Sequence, residues 1–194
     1  MESSLKILRD RKTSTAEFRA ASRKLCTLLM RTLRALLRRR GTDPEKIVPV
    51  IILRAALAFL ESAHGEFPGV PVGVFGLKRD ERTKRSHWYY ENLPPLSKRS
   101  VVVVLDPMLA TGGSAEAAVR RLVERGVEPK NIYFVGIIAA PEGVARLERH
   151  VPRENIVLAA MDKGLNAQKY IVPGLGDFGD RYFGYSDAPV SRRK

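Results

Sequence analysis

Apolar residues recur at helical spacing near the start of the chain, and they predict one long amphipathic helix over residues 15–39. The apolar positions are Phe18, Ala21, Leu25, Leu28, Leu29, Leu33, Leu36 and Leu37. Ser14 and Glu17 stand in the S-x-x-E order of a capping box, which favours a helix start at this point. Gly41 and Pro44 follow the pattern, so the helix is expected to end before them.

Further along, short apolar runs alternate with helical patterns. The predicted strands are residues 47–53, 70–77, 101–105, 132–139 and 156–161. The predicted helices between them are residues 55–63, 115–125 and 141–150, the second capped by Ser114. Strands that alternate with helices predict an α/β fold, in which a central, mostly parallel sheet is flanked by helices.

The domain organisation follows from the length and from two polar segments. A chain of 194 residues suits one domain, which we place at residues 1–184. Residues 78–99 are polar and basic, and we expect a flexible loop or hairpin there. Residues 185–194 look like a basic C-terminal tail.

Composition narrows the choice of partners and compartment. The formal net charge of +13 favours phosphate-rich partners such as nucleotides, sugar phosphates, RNA or anionic surfaces. The single cysteine, Cys26, excludes an intrachain disulfide, and its helical setting predicts a buried structural thiol. The first residues lack an apolar secretory core, and no apolar run is long enough to span a bilayer. We therefore expect a cytoplasmic protein without membrane segments.

One stretch, VVVVLDPMLATGGS at residues 101–114, carries the chemistry. A buried strand delivers Asp106 to its carboxyl end, where ligands bind in α/β sheets. The following Gly112 and Gly113 let main-chain N–H groups converge on an anion, next to the positive end of a helix. Thr111 and Ser114 offer hydroxyl donors to phosphate, and Asp106 can accept from a sugar diol. These residues predict a sugar-phosphate site; the Gly-Lys-Ser/Thr of a Walker A loop is missing.

The same stretch resembles a known motif. Residues 106–114 are similar to the motif of phosphoribosyltransferases that binds 5-phosphoribosyl-1-diphosphate (PRPP), in the form of the uracil enzymes, where proline (here Pro107) replaces a second acid. Residues 164–181 resemble the uracil-recognition segment of that family, and residues 139–143 also resemble a stretch found in the family. The resemblance covers residues 5–184 and implies a type I phosphoribosyltransferase-like fold with a C-terminal base-binding hood.

The resemblance implies a PRPP site in which Asp106 holds the ribose hydroxyls and residues 110–114 hold the 5′-phosphate. Two arginines, Arg54 and Arg79, would bind the diphosphate, the second from a loop that closes over PRPP. The implied PRPP-binding set is Arg54, Arg79, Asp106, Pro107, Met108, Leu109, Ala110, Thr111, Gly112, Gly113 and Ser114. The implied catalytic set is Arg54, Arg79, Asp106 and Asp177.

Uracil recognition is implied to rest mostly on main-chain groups. The implied uracil-binding set is Ala110, Tyr170, Ile171, Gly176, Asp177 and Phe178. A main-chain carbonyl that accepts from uracil N3–H cannot pair with the bare N3 of cytosine, so such a loop is selective. Asp177 would also reach a Mg²⁺ through water.

The implied reaction is pentosyl transfer: the phosphoribosyl group of PRPP passes to N1 of uracil, and UMP and diphosphate are released in pyrimidine salvage. The resemblance also implies Mg²⁺ as cofactor, a homo-oligomer (dimer or tetramer) and activation by GTP, with no specific nucleic acid as partner. Two departures are visible. Ala56 stands where many members have glycine, and residues 38–47 leave little room for the β-hairpin arm that many members carry.

Two other functions remain open at this point. A catalytically weak or inactive relative could sense nucleotides or bind RNA, because basic residues beside Trp88, Tyr89 and Tyr90 suit single-stranded RNA. Alternatively, the enzyme could act on another base, although the segment at residues 164–181 favours uracil.

Overall fold

The computed structural model describes residues 1–79 and 86–185. Within these residues, seven strands form one sheet in the order β3-β2-β1-β4-β6-β5, and β7 pairs with β6 on its other edge. The strands of this sheet are β1 (Ile47–Leu53), β2 (Gly73–Arg79), β3 (Ser86–Asn92), β4 (Val101–Leu105), β5 (Met108–Leu109), β6 (Ile132–Ala139) and β7 (Ile156–Met161). All neighbours run parallel except β3, which is antiparallel to β2, so the predicted fold class is confirmed.

Helices cover both faces of the sheet, and a small hairpin stands apart from it. The helices are α1 (Glu2–Arg9), α2 (Thr15–Arg39), α3 (Leu60–Glu66), α4 (Gly113–Glu124), α5 (Pro141–Leu147) and α6 (Phe178–Phe183). The hairpin pairs β8 (Gly164–Leu165) with β9 (Ile171–Val172). Among the described residues, no helix combines the length and the apolar character needed to cross a membrane.

The predicted long helix is confirmed as α2, together with its capping box. The Ser14 hydroxyl accepts from the Glu17 N–H, and the Glu17 carboxylate accepts from the Ser14 N–H at 3.1 Å. The buried face of α2, including Phe18 and Cys26, belongs to the larger of two apolar clusters. Burial raises the pKa of the Cys26 thiol, as expected for a structural cysteine.

The central strand β4 shows why its sequence has no polar alternation. Val101, Val103 and Leu105 point into the apolar cluster that contains α2. Val102 and Val104 point into the second cluster, on the face that α4 covers. Because both faces are buried, every position of the strand must be apolar.

Several predicted boundaries were wrong. The segment at residues 55–63 begins as a 3-10 turn (Ala55–Phe59) and becomes helical only in α3. Ser114 lies inside α4 and is not its cap; the helix starts at Gly113, two residues earlier than predicted, after Gly112 with φ +75°. The helix α5 ends at Leu147 and not at residue 150, because the chain turns there to bury Val151.

The predicted loop at residues 78–99 is in part a hairpin. β2 continues to Arg79, which is opposite Ser86 of the antiparallel strand β3. The Trp88 ring packs edge-on against Phe75, with ring centroids 4.8 Å apart. Residues 80–85 of the predicted flexible loop, and residues 186–194 of the predicted tail, lie outside the described residues.

Both predicted departures from the family pattern can be located. The connection between α2 and β1 holds a 3-10 turn (Pro44–Lys46) and no strand, so it contains no hairpin arm. Ala56 is fully buried in the turn that follows β1.

Candidate active site

The carboxyl ends of three parallel strands border a cleft of about 900 Å³. β1 contributes its end and the turn after it, β2 its last residues, and β4 the loop that follows it. The opposite wall comes from the β8–β9 hairpin and the start of α6. The cleft is lined by Leu53, Arg54, Ala55, Leu77, Lys78, Tyr89, Met108, Ala110, Gln168, Lys169, Tyr170, Ile171, Gly176, Asp177, Phe178 and Gly179.

The loop at residues 106–114, hereafter the phosphate loop, is held by main-chain hydrogen bonds to β6. The Pro107 carbonyl accepts from the Ile137 N–H at 2.9 Å, and the Leu109 carbonyl accepts from the Ala140 N–H at 2.9 Å. The loop then enters α4, a helix of 12 residues. The N–H groups at the start of this helix are a favourable environment for an anion.

The phosphate loop also presses on the first turn of α5. A Cβ on Gly143 would lie 2.7 Å from the Leu109 carbonyl oxygen and closer still to that of Ala110. Only glycine permits this approach, so the stretch at residues 139–143 supports the loop from below. The motif at residues 139–143 is visible in the sequence, but nothing in the sequence indicates this contact.

Asp106 follows β4 at the base of the phosphate loop. Burial raises the pKa of its carboxyl to about 7, although a hydrogen bond from the Met108 N–H works in the opposite direction. That bond is long, with 3.4 Å between Met108 N and Asp106 Oδ1. A ligand with hydroxyl groups would add donors and favour the ionised form.

Arg54 follows β1, and the peptide bond that precedes it is cis. Its guanidinium lies 3.7 Å from Asp180 Oδ1 and 5.6 Å from the centroid of the Tyr185 ring. More than half of the side chain is exposed at the cleft. The position therefore offers a cation where the first strand ends.

Residues 170–178, hereafter the base loop, form the wall opposite the phosphate loop. Val172 is followed by a cis proline, and both Gly174 and Gly176 have positive φ, +64° and +82°. Asp177 caps α6, its Oδ1 accepting from the Asp180 N–H at 2.8 Å. Within residues 170–178 only Tyr170 carries a side-chain donor, so the base loop itself presents mainly main-chain groups to the cleft. Gln168 and Lys169, which precede the loop, add side-chain donors to the same wall.

Eight predicted site residues meet at this cleft: Arg54, Met108, Ala110, Tyr170, Ile171, Gly176, Asp177 and Phe178. The other members of the phosphate loop adjoin it, and Pro107 and Leu109 among them are buried. The side chain of Arg79 lies outside the described part of the structure. Eight cleft residues were not predicted: Leu53, Ala55, Leu77, Lys78, Tyr89, Gln168, Lys169 and Gly179.

The side chains at the cleft decide whether a metal ion could be held there. In residues 1–79 and 86–185, no three His, Cys, Asp or Glu side chains come together as a cation site. Asp177 supplies one carboxylate at the cleft. Mg²⁺ binds one or two carboxylates together with substrate phosphates and several waters, so this donor set fits a Mg²⁺ that is held mainly by the substrate.

Fold and site together define the class. A mostly parallel sheet with a phosphate loop after a central strand, and a separate base loop facing it, is the arrangement of the type I phosphoribosyltransferases. The solved structure of an APRTase from Giardia lamblia shares this fold, with a TM-score of 0.52 at 18% identity over 75% of this chain and 80% of that one.

More specific likeness narrows the class to one family. The family model described as uracil phosphoribosyltransferase matches residues 33–185. A uracil phosphoribosyltransferase of Campylobacter fetus subsp. fetus is 39% identical, over 94% of this chain and 93% of that protein. A solved structure of a protein from Aquifex aeolicus has a TM-score of 0.81 at 34% identity, over 96% of this chain and 95% of that one. The chain belongs to the uracil phosphoribosyltransferase family.

Proposed function

We propose that the protein transfers the phosphoribosyl group of PRPP to N1 of uracil, giving UMP and diphosphate. The observation that carries the proposal is one cleft that joins the phosphate loop, through Met108 and Ala110, to the base loop, through Ile171 and Gly176. A transferase of this kind needs both substrates in one cavity, with the reacting atoms held at short range.

PRPP would lie along the carboxyl edge of the sheet. The 5′-phosphate would accept from main-chain N–H groups and hydroxyls at residues 110–114, at the positive end of α4. Asp106 would accept from the ribose diol, which requires its ionised form. Arg54 would bind the diphosphate, together with Arg79 from the hairpin that begins in β2.

Uracil would lie against the base loop, and Tyr170 would flank the ring. Main-chain carbonyls and N–H groups near Ala110, Ile171 and Gly176 would read its acceptor–donor–acceptor edge. Phe178 is almost fully buried and would support the loop from behind. Because main-chain groups have fixed polarity, cytosine would leave buried groups unpaired, which makes the site selective.

The reaction breaks the bond between the anomeric carbon and the diphosphate oxygen and forms the bond from that carbon to uracil N1. Positive charge develops on the ribose, the electron pair leaves with diphosphate, and the N1 proton is released. The enzyme forms no covalent intermediate, and the arginines stabilise the leaving charge. Mg²⁺, when bound, would neutralise diphosphate charge, with Asp177 as its protein ligand through water.

Further properties follow from the family. We propose that the enzyme depends on Mg²⁺, acts in the cytoplasm and forms a homo-oligomer. Activation by GTP stays a prediction, because none of the contacts described above bears on it. The support for all four is the family resemblance, and the phosphate-binding chemistry of the cleft adds support only for Mg²⁺.

The test is an assay of nucleotide formation from PRPP with Mg²⁺ and a panel of bases: uracil, cytosine, hypoxanthine and adenine. We expect UMP from uracil, loss of turnover with a chelator, and little product from the other bases. Salt-sensitive RNA binding without any uracil-dependent release of diphosphate would instead indicate a regulatory relative.

A further inference from the structure

The base loop is tied from behind to the start of the chain. Gly174 uses both of its main-chain polar groups: its N–H donates to Asp162 Oδ2 at 2.8 Å, and its carbonyl accepts from Arg9 Nη1 at 2.8 Å. Arg9 Nη1 also donates to Asp162 Oδ2 at 2.9 Å. The three residues thus form a closed ring of hydrogen bonds, and the orientation of Gly174 is fixed on two sides.

A second arginine fastens the next residue of the loop to the same segment. Arg181 Nη1 donates to the Leu175 carbonyl at 2.6 Å and also to the Leu8 carbonyl, while Nη2 donates to the Asp10 carbonyl at 2.6 Å. Its guanidinium lies 4.3 Å from the centroid of the Phe18 ring. Of two consecutive loop residues, Gly174 is therefore held directly by Arg9, and Leu175 is held through Arg181, which also binds residues 8 and 10.

The carboxylate of Asp162 is almost completely shielded from water, since its side chain is only 3% exposed. Burial raises the pKa of this carboxyl, but hydrogen bonds from Arg9 and from the Gly174 N–H outweigh burial and hold the pKa low. Asp162 therefore stays ionised at neutral pH. Hydrogen bonds to ionised groups are stronger than neutral ones and more demanding in geometry.

None of Arg9, Asp162 and Gly174 lines the cleft. Gly174 nevertheless sits between Ile171 and Gly176, which do line it, and its positive φ allows the sharp turn between them. Rotation of the Gly174 peptide groups would therefore move the main-chain groups on both sides. The N-terminal segment also backs Gly176, where an added Cβ would lie 2.6 Å from Arg11 Nη1.

We propose that the Arg9–Asp162 pair is a positioning element for base recognition, because it fixes the main-chain groups of the base loop in the orientation that reads uracil. This inference rests on the proposed function. Arg9 and Asp162 act through Gly174 and do not touch the base, so they are positioning residues. The specificity of the C-terminal loop is thus set in part by a residue near the start of the chain.

The experiment compares Asp162→Asn and Arg9→Met with a matched control, Arg31→Met. Asn keeps the shape of Asp162 but loses the charge, and one of its two oxygens becomes an amide nitrogen, so one partner loses its acceptor. Arg31 also belongs to an ion pair, with its Nε 3.0 Å from Glu66 Oε1, but its side chain is 68% exposed. Neither Arg31 nor Glu66 lines the cleft or belongs to the base loop. Arg9→Lys retains the positive charge, so this variant should lose less of the selectivity for uracil than Arg9→Met does.

We expect the KM for uracil to rise about tenfold in Asp162→Asn and Arg9→Met, while the KM for PRPP changes less than about twofold. The ratio of kcat/KM for uracil to that for cytosine should fall in the same two variants. Amide hydrogen exchange in residues 171–177 should quicken by about tenfold, with no change in residues 101–105. The double variant should be no worse than either single variant, because the two residues form one unit.

Equal rises in both KM values, or a fall in kcat with an unchanged KM for uracil, would overturn the inference, since either result indicates a general structural role. If Asp162→Asn does not fold, the Arg9→Met and Arg9→Lys pair gives the same comparison. Failure of the unmodified protein to make UMP would contradict the proposed function instead. Hydrogen exchange needs no turnover, so it would still test whether Arg9, Asp162 and Arg181, hereafter the clamp, hold the base loop.

Discussion

The two substrate loops are built in different ways. The phosphate loop continues a buried strand, pairs with β6 through β5 and runs directly into α4, so most of its support is main chain and comes from the neighbouring strand of the sheet. The base loop depends on side chains from far away. The Arg9–Gly174 hydrogen bond joins residues 165 positions apart, and the Arg181–Asp10 bond joins residues 171 positions apart.

This difference predicts how each loop fails. A loop held by a main-chain ladder tolerates changes of side chain but not the intrusion of atoms into its backbone contacts. A loop held by a few buried charged hydrogen bonds is sensitive to single distant substitutions. PRPP binding should therefore respond to local packing, and base choice to the remote clamp.

The largest effect is expected for Gly143→Ala. The new Cβ would meet the Leu109 and Ala110 carbonyl oxygens, and the phosphate loop must move to admit it. Displacement of a substrate-binding loop by about 1 Å can cost about 100-fold in rate, and we expect at least that loss in kcat/KM for PRPP. Steady-state kinetics with varied PRPP measures it.

Gly65→Ala is the matched control, because a Cβ there would meet nothing within 4 Å. In α3 the added methyl should leave turnover unchanged and stabilise the fold by up to about 1 kcal/mol, as measured by thermal unfolding. Full activity in Gly143→Ala would contradict the tight packing of the phosphate loop on α5.

A somewhat smaller loss is expected for Asp106→Asn. Replacing a charged acceptor for the ribose diol should cost about 1.5–3 kcal/mol, which is about 10- to 150-fold in kcat/KM for PRPP. Circular dichroism should show an intact fold, since Asn keeps the size of Asp. Near-normal UMP synthesis by the folded variant would show that Asp106 does not bind the ribose hydroxyls.

The same residue predicts a pH dependence. Its carboxyl has a pKa of about 7 and is neutral at lower pH, so kcat/KM for PRPP should rise with pH through about 7 and then level off. The folded state also binds more protons than the unfolded state between about pH 4 and pH 7, so the free energy of unfolding should fall over that interval. Asp106→Asn should lose both trends.

The sequence predicted the phosphate loop and the main sheet better than it predicted the support of the base loop. The helix α2, the strands β1, β4, β6 and β7, and the phosphate loop were predicted from contiguous residues, because period and motif are local properties. The clamp was missed, although Arg181 stood in a recognised stretch. Nothing in the pattern around Arg9 or Asp162 indicates that the two residues meet.

The errors have physical reasons too. The short strands β5, β8 and β9 were not predicted, since two residues give too few positions for a period. The helices α1 and α6 were missed as well, since eight and six residues make only about two helical turns. Ser114 is a good helix-capping residue in general, but here the turn needs a positive φ, and Gly112 takes that place. Lys78 and Tyr89 reach the cleft only because the hairpin folds beside β1.

An effect of about tenfold is expected for Arg54→Met, because the change would remove the charged contact proposed between this half-exposed side chain and the diphosphate. Arg153→Met is a close match: its ion pair with Glu148 has similar exposure, 52% and 37% against 58% and 39% for Arg54 and Asp180. KM for PRPP should rise only in the Arg54 variant. Equal effects of the two changes would mean that Arg54 contributes only a surface ion pair and does not bind the diphosphate.

The smallest effect is expected for Tyr170→Phe, although Tyr170 lines the cleft and is 61% exposed. Its backbone is held on both sides by Asn166, whose Oδ1 accepts from the Tyr170 N–H at 2.9 Å and whose N–H donates to the Tyr170 carbonyl at 2.9 Å. Loss of the hydroxyl leaves these bonds and the ring in place.

If main-chain groups read the base, the ratio of kcat/KM for uracil to that for cytosine should change less than about twofold in Tyr170→Phe. Asp162→Asn, outside the cleft, should then alter selectivity more than a residue in contact with the base. The reverse order would assign base reading to the Tyr170 side chain and not to the clamped backbone.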